Sequence, residues 1–318
     1  MRNYILRRAL LVPITVLGVS LLVSLTMELL PGNVADIIVA ESGGFGTDIT
    51  QDKVEQELGL DKNVFVRWFN WLTDVAQGDF GEYFRGGRSV GVELENRLPV
   101  TLQLSAMALV ISLFISLPIG IISAVRQDSL VDYVARSLAI FMLAAPSFWL
   151  GVMFFVLVGE NWPTLLPPIQ YKDFWEDPSS NLQSMWAPAV ILAFALAGSV
   201  MRLTRSQMLE VLRQDYVRTA WSKGLKERVV VTRHAVRNAF IPVISLIGVQ
   251  VNILISGSIV LEVIFGLPGI GRMIVTDIQT REYLAVQGVL LVVATMIVVV
   301  NFLVDLSYSL LDPRIRYN

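Results

Sequence analysis

The sequence predicts an all-α polytopic membrane protein with six transmembrane helices, and three features predict it. First, of its 318 residues 54% are hydrophobic and 16% are charged, with a mean hydropathy of +0.61; soluble domains carry roughly 25% charged residues. Second, six apolar runs, about 9–30, 99–125, 137–158, 186–204, 239–261 and 284–308, are long enough to cross a bilayer, whose core of about 30 Å takes roughly 20 helical residues. Third, none of the runs alternates with period two, which excludes a barrel. A lone span in hydrocarbon satisfies its backbone only as a helix.

Charge sets the orientation. With the N-terminus inside, the inner segments hold sixteen Lys and Arg and the outer ones nine, of which six lie in the long first outer segment. Long outer loops weigh little in this bias. Both termini are therefore expected in the cytoplasm of a cell (inner) membrane. The run Ala9–Leu30 is too long for a signal-peptide core, and Pro31-Gly32-Asn33 follows with no small-residue cleavage site; it reads as a retained first span.

The segment 31–97 is the largest polar piece, with twelve acidic and six basic residues. Gln51–Leu58 and Asn63–Leu72 read as short helices, the second with Val64, Trp68, Trp71 and Leu72 on an apolar side. The segment is expected to be an outer cap, lying at the membrane interface, contacting an external partner, or both. Pro118 and Pro146 fall inside the second and third spans, where neighbouring helices can satisfy the carbonyls they free. The outer segment 159–185 carries Pro163, Pro167, Pro168 and Pro178 and reads as a structured loop.

Span four ends at Arg202 and Arg205, and Ser206–Arg213 continues it. Gln214–Pro242 then reads QDYVRTAWSKGLKERVVVTRHAVRNAFIP. Tyr216–Lys223 fits two helical turns, with Val217, Ala220 and Trp221 on one side. Gly224 suits the position after a helix where φ turns positive. Lys226–Val236 fits a second helix, and Asn238 and Pro242 mark the start of span five. In that span Gln250, Asn252, Ser256 and Ser258 form a partly polar face, as helix-to-helix contact or as pathway lining. Glu262 stands at its outer end, followed by the Gly/Pro turn Phe265–Arg272 and a short interfacial helix at Met273–Gln279.

Several chemistries find no support. The chain has no Cys, hence no thiolate nucleophile or thiolate metal site. No phosphate-binding GxxxxGK[ST] occurs, and Gly266, Gly269 and Gly271 fit no GxGxxG pattern. No cluster has metal-ligand spacing. The single His, His234, has no nucleophile motif beside it and reads as a structural hydrogen-bonding residue rather than a base. Ionisable residues within the spans are few, Glu28 and Asp305 among them, which argues against a proton- or sodium-coupled carrier. Energy for uphill transport must then come from elsewhere. The net charge of −2 implies no affinity for nucleic acid.

The inner segment carries a resemblance. Thr219-Ala220, three residues, Gly224, then Arg233-His234, Arg237-Asn238 and Pro242 resembles the inner-loop signature of membrane subunits of ABC importers. The match is most similar to the dipeptide/oligopeptide/nickel permease family, in its first membrane subunit. Further similar blocks are RRALLVPITVLGVS, GLDKNVFVRWFNWLTDVAQGDFGEYFRGG, PGIGR and VDLSYSLLDPRIR, so the resemblance covers nearly the whole chain. The general signature opens with Glu-Ala-Ala where this chain has Arg218-Thr219-Ala220.

The resemblance implies a type I-like ABC importer permease with a cytoplasmic coupling helix in 205–238. Its coupling residues would be Tyr216, Arg218, Thr219, Ala220, Lys223, Gly224, Leu225, Arg233, His234, Asn238 and Pro242. Gln250, Asn252, Ser256 and Glu262 are candidates for the translocation pathway. Catalysis is not expected in this chain, which would hold no cofactor; ATP and Mg would sit on two ATP-binding partner subunits. A second related permease subunit and an extracytoplasmic substrate-binding protein would complete the system. Short peptides are the expected solute, with nickel chelates or glutathione as alternatives. A secondary carrier, an intramembrane enzyme and a scaffold each leave Gln214–Pro242 or the missing catalytic groups unexplained.

Overall fold

The structure is a computed structural model that describes residues 2–28, 62–168 and 170–311. The expected helix Gln51–Leu58 and the side chains of Glu28 and Asp305 lie outside the described residues. Among the described residues the chain is helical, with no strand beyond an isolated bridge between Glu82 and Ser89. The helices are α1 (Arg2–Glu28), α2 (Val64–Ala76), α3 (Val90–Val125), α4 (Leu130–Ala144), α5 (Ser147–Asn161), α6 (Pro178–Leu212), α7 (Asp215–Ser222), α8 (Glu227–Phe265), α9 (Ile270–Thr280) and α10 (Tyr283–Leu311). Helices α1, α3, α6, α8 and α10 are each long and apolar enough to cross a membrane, and the pair α4–α5 makes a sixth span if counted as one.

That pair corrects the third expected span. Residues 137–158 are not one helix: α4 and α5 meet at 99°. Ala145 is extended (φ −75°, ψ 119°), as a residue before proline prefers, and Pro146 then starts α5. Pro118 and Pro188, by contrast, sit within unbroken α3 and α6. Packing explains the difference. Ala135, Ala139 and Met142 of α4 lie along Ala197 and Met201 of α6. Beyond the bend, Phe154 and Phe155 stack on Phe265 with ring centroids 5.5 and 4.9 Å away, and Phe154 also meets Trp186 at 5.4 Å. The turn gives each half its own partner.

Two compact units divide the chain. The first comprises Met1–Ile5, Asn96–Met273 and Val299–Asn318. Its core joins Val100, Leu104 and Ala108 of α3, the buried stripe Met185–Val200 of α6, and Val243, Leu254 and Leu261 of α8. Helix α6 begins earlier than expected because Asp177 caps it, accepting from Ser180 N at 3.1 Å. That amide, the Ser179 hydroxyl and Lys172 hold the Asp177 carboxyl down at about 2.

The second unit comprises Leu6–Glu95 and Ile274–Val298. Its tight stretch around Gly81, Gly86 and Gly87 is pinned by Glu282, whose carboxylate accepts from Phe84 N (2.8 Å) and Arg85 N (3.0 Å). Tyr83 donates to Asp277 at 3.1 Å. In α2, Val64, Trp68, Trp71 and Leu72 face inward as the sequence predicts, Trp71 being buried.

Candidate functional site: Gln214–Pro242

Helix α7 forms where the sequence places two turns. Its inner face is Val217 and Ala220, three residues apart, which bury against Val230 with Val211 and Leu212 alongside. The spacing leaves Tyr216, Arg218 and Thr219 outward, joined by Trp221, Lys223 and Leu225. Trp221 corrects the expected apolar side: it is 43% exposed, because one residue after Ala220 turns it about 100° off that face. The hydroxyls of Thr219 and Ser222 bond back to Asp215 O and Arg218 O, so the exposed face carries no unmet hydroxyl need. Arg218 and Asp215 form a loose, exposed pair at 3.7 Å.

Gly224 ends the helix with φ +74°, a conformation that costs a residue with a Cβ about 1–2 kcal/mol. Its amide donates to Trp221 O at 2.9 Å. Nothing lies within 4 Å of where a Cβ would be. The glycine is required by the turn; the space beside it is open.

The expected second helix, Lys226–Val236, is not separate. It starts after Lys226 and runs unbroken through Asn238 and Pro242 as α8. After a first turn at Glu227–Val229, the helix passes through a π-helical stretch, Val230–Ala235. The wider turn accompanies two adjacent buried valines with different partners: Val230 faces α7, while Val231, Ala235 and Ala239 pack on Met208 and Ala124. Pro242 has no N–H for the Asn238 carbonyl, and the helix continues regardless.

Asn238 closes the element. Its Nδ2 donates to the Tyr216 hydroxyl at 2.7 Å, tying the first turn of α7 to α8. This is the brace the sequence assigns to His234. Among the described residues the bond at His234 is accepted by its carbonyl, from Asn238 at 3.4 Å, and not made by its imidazole. Arg233 is exposed and Pro242 half-buried, both on α8 beyond the α7 contact.

The residues proposed to line a pathway divide. Gln250 donates to Ser199 of α6 at 2.6 Å and Asn252 to Asn301 of α10 at 2.7 Å; both are helix-to-helix contacts. Ser256 is exposed, its hydroxyl bonded to Asn252 O. Glu262 is held within the chain itself. It is fully buried, accepting from Thr101 Oγ1 (2.8 Å) and Arg272 N (3.1 Å). A Cβ on Gly269 or Gly271 would collide with its carboxylate. Glu262 therefore ties the end of α8 to the first turn of α9.

A second polar site lies at Asp132. Asp132, fully buried at the start of α4, receives both Nε and Nη2 of Arg205 at 2.7 Å, Ser123 Oγ at 2.6 Å and Asp128 N at 3.0 Å. This forked pair joins the ends of α3, α4 and α6. The one local signal is Ser129 three residues before Asp132, a helix-start spacing; nothing in the sequence links Asp132 to Arg205.

Residues 116–317 match the family described as binding-protein-dependent transport system inner membrane component. A Brucella abortus (strain 2308) protein, named for a peptide transport system permease, is 39% identical over 302 residues, covering 94% of each chain. The dipeptide transport system permease protein DppB of Escherichia coli (strain K12) is 35% identical, over 100% of this chain and 99% of that one. A chain from inward-facing conformations of the MetNI methionine ABC transporter superposes with a TM-score of 0.55 over 69% of this chain and 96% of that chain. At 14% identity that likeness is one of fold.

Proposed function

The chain belongs to the binding-protein-dependent transport system inner membrane component family, and from that premise we propose that it is the permease subunit of an ATP-driven ABC importer, forming half of the path taken by short peptides. The peptide assignment is supported by the names of its full-length relatives. The observation that carries the mechanism is α7. It is a short helix anchored on one face by Val217 and Ala220 and exposed on the other through Tyr216, Arg218, Thr219, Lys223 and Leu225. Such a helix is suited to lie in a groove of another protein.

In this reading two ATP-binding subunits hold ATP and Mg, and each permease presents its coupling helix to one of them. Closure of the ATPases displaces α7. Because Val217 and Ala220 seat on Val230, and Tyr216 is bonded to Asn238, the displacement passes into α8 as a rigid element. A second related permease completes the path across a pseudo-two-fold axis, and an external binding protein delivers the peptide to the 31–97 side. The Lys and Arg distribution supports cytoplasmic placement of both termini and of the coupling loop 205–238. The test is reconstitution: the chain with its partner permease and ATPases in proteoliposomes takes up peptide only with ATP and binding protein.

A further inference from the structure

We propose that α2 is an interfacial helix, with its Phe65–Val66–Phe69 face embedded in phospholipid acyl chains beside the Thr26 end of α1. The helix has three sides, not two. At 100° per residue, Val64, Trp68, Trp71 and Leu72 point inward, and Trp71 is buried. Asn63, Arg67, Asn70 and Asp74 fall on a second line, spaced three and four residues apart. Phe65, Val66, Phe69 and Thr73 occupy the third side. There Phe65 is 56% exposed, Val66 49% and Phe69 59%.

Nothing on that third side asks for water. It carries no charge, and the Thr73 hydroxyl is bonded back to Asn70 O at 2.6 Å. The depth of the helix identifies what covers it. Trp68 Nε1 donates to Ser20 Oγ of α1 at 2.9 Å. Ser20 lies inside the apolar window Ala9–Thr26, six residues before its end, or about 9 Å along the axis. An indole that reaches Ser20 puts α2 level with the last turns of that window. The α1 surface there is itself exposed and apolar, with Leu22 at 63% and Leu17 at 42%. The Phe65–Phe69 face continues this membrane-facing surface, and the polar line at Asn63, Arg67, Asn70 and Asp74 lies where an interfacial helix turns to the headgroups and water. The occupant is lipid, not a soluble protein.

The chain has no cysteine, so each introduced cysteine is the one label site in this subunit, and the partner subunits are used in cysteine-free form. Phe65→Cys, Phe69→Cys, Asn70→Cys and Asp74→Cys would each be labelled in the assembled complex, in nanodiscs of phosphatidylethanolamine and phosphatidylglycerol. Collision with oxygen and with a water-soluble chromium oxalate would then be compared. The oxygen-to-chromium ratio at 65 and 69 is expected to be clearly higher than at 70 and 74, because oxygen concentrates in the acyl chains where the apolar face of an interfacial helix lies, and chromium oxalate stays in water. Equal ratios at the four sites would place the face in water and overturn it. So would labels at 65 and 69 shielded from both reagents, since a protein surface then covers them. All four sites are exposed, so a folding defect is not expected, and the contrast is read within one set of variants.

Discussion

The side-chain amide of Asn238 donates to the hydroxyl of Tyr216 at 2.7 Å, across 22 residues of sequence. With the seating of Val217 and Ala220 on Val230, this bond makes α7 and the start of α8 one element instead of two helices on a flexible joint. A half-exposed hydrogen bond of this kind contributes about 0.5–1.5 kcal/mol. Tyr216→Phe is therefore expected to leave insertion and assembly intact and to lower the peptide taken up per ATP hydrolysed by a fewfold. Asn238→Ala should do the same. The double variant should be no worse than either single one; additive losses would mean that the two residues act separately.

Asp132 and Arg205 form the other long-range polar link, and here stability is at stake. Asp132 is fully buried with four donors around it. Removing one partner of a buried pair strands a charge, at about 3–5 kcal/mol. Asp132→Ala and Arg205→Ala are expected to reduce the yield of monodisperse protein and lower its thermal midpoint in detergent. Arg205→Lys keeps the charge but not the fork and should fall between wild type and Arg205→Ala. Asp132→Leu with Arg205→Met should recover part of the loss, because the forked pair is then gone and the charge left facing the site is the half-exposed Arg136, 3.7 Å from Asp132.

These two links also mark the limit of what the sequence makes legible. Apolar runs announce the spans, because the bilayer imposes length and backbone satisfaction on every one of them. The α7 turn is legible too: Val217, Ala220 and Gly224 carry local spacing, and Gly224 takes the positive φ that spacing predicts. Bonds between distant positions leave no such trace. Tyr216–Asn238 and Asp132–Arg205 depend on which helices become neighbours. Pro146 shows the same limit from the opposite side. It breaks its helix while Pro118 does not, and the difference lies in Phe154 and Phe155 having Phe265 to stack on. Glu262, chosen for its place at a span end, is claimed by Thr101 and the Arg272 amide, contacts 161 and 10 residues away in sequence.

Glu262 gives a prediction that separates a structural role from solute contact. Glu262→Gln keeps the size; its one carbonyl oxygen can still accept from the Arg272 amide, with its NH2 turned to donate to the Thr101 hydroxyl oxygen. It is expected to retain the wild-type order of preference among peptides, with at most a modest loss of assembled protein. Gly271→Ala, whose Cβ would press on the Ile259 backbone and the Glu262 carboxylate, should be the more damaging change, by about 1–3 kcal/mol as overpacking commonly costs. Thermal midpoints of the two variants, and competition uptake for Glu262→Gln, check this. A changed peptide preference in Glu262→Gln would return the residue to the pathway.

Energy is proposed to reach this chain through α7 and its turn at Gly224. The most direct measurement is ATP-dependent uptake by proteoliposomes holding the complete importer, with ATP hydrolysis recorded in parallel, for wild type, Gly224→Asn and Gly224→Val. Asn tolerates a left-handed φ and Val does not. ATP-dependent uptake is expected in the wild type, most of it retained in Gly224→Asn. Uptake by Gly224→Val should drop at least tenfold, the loss expected when about 1.4 kcal/mol or more of coupling is removed, while the assembled ATPase still hydrolyses ATP. Uptake by Gly224→Val at the wild-type rate, or uptake by this chain alone in vesicles without ATP, would contradict it.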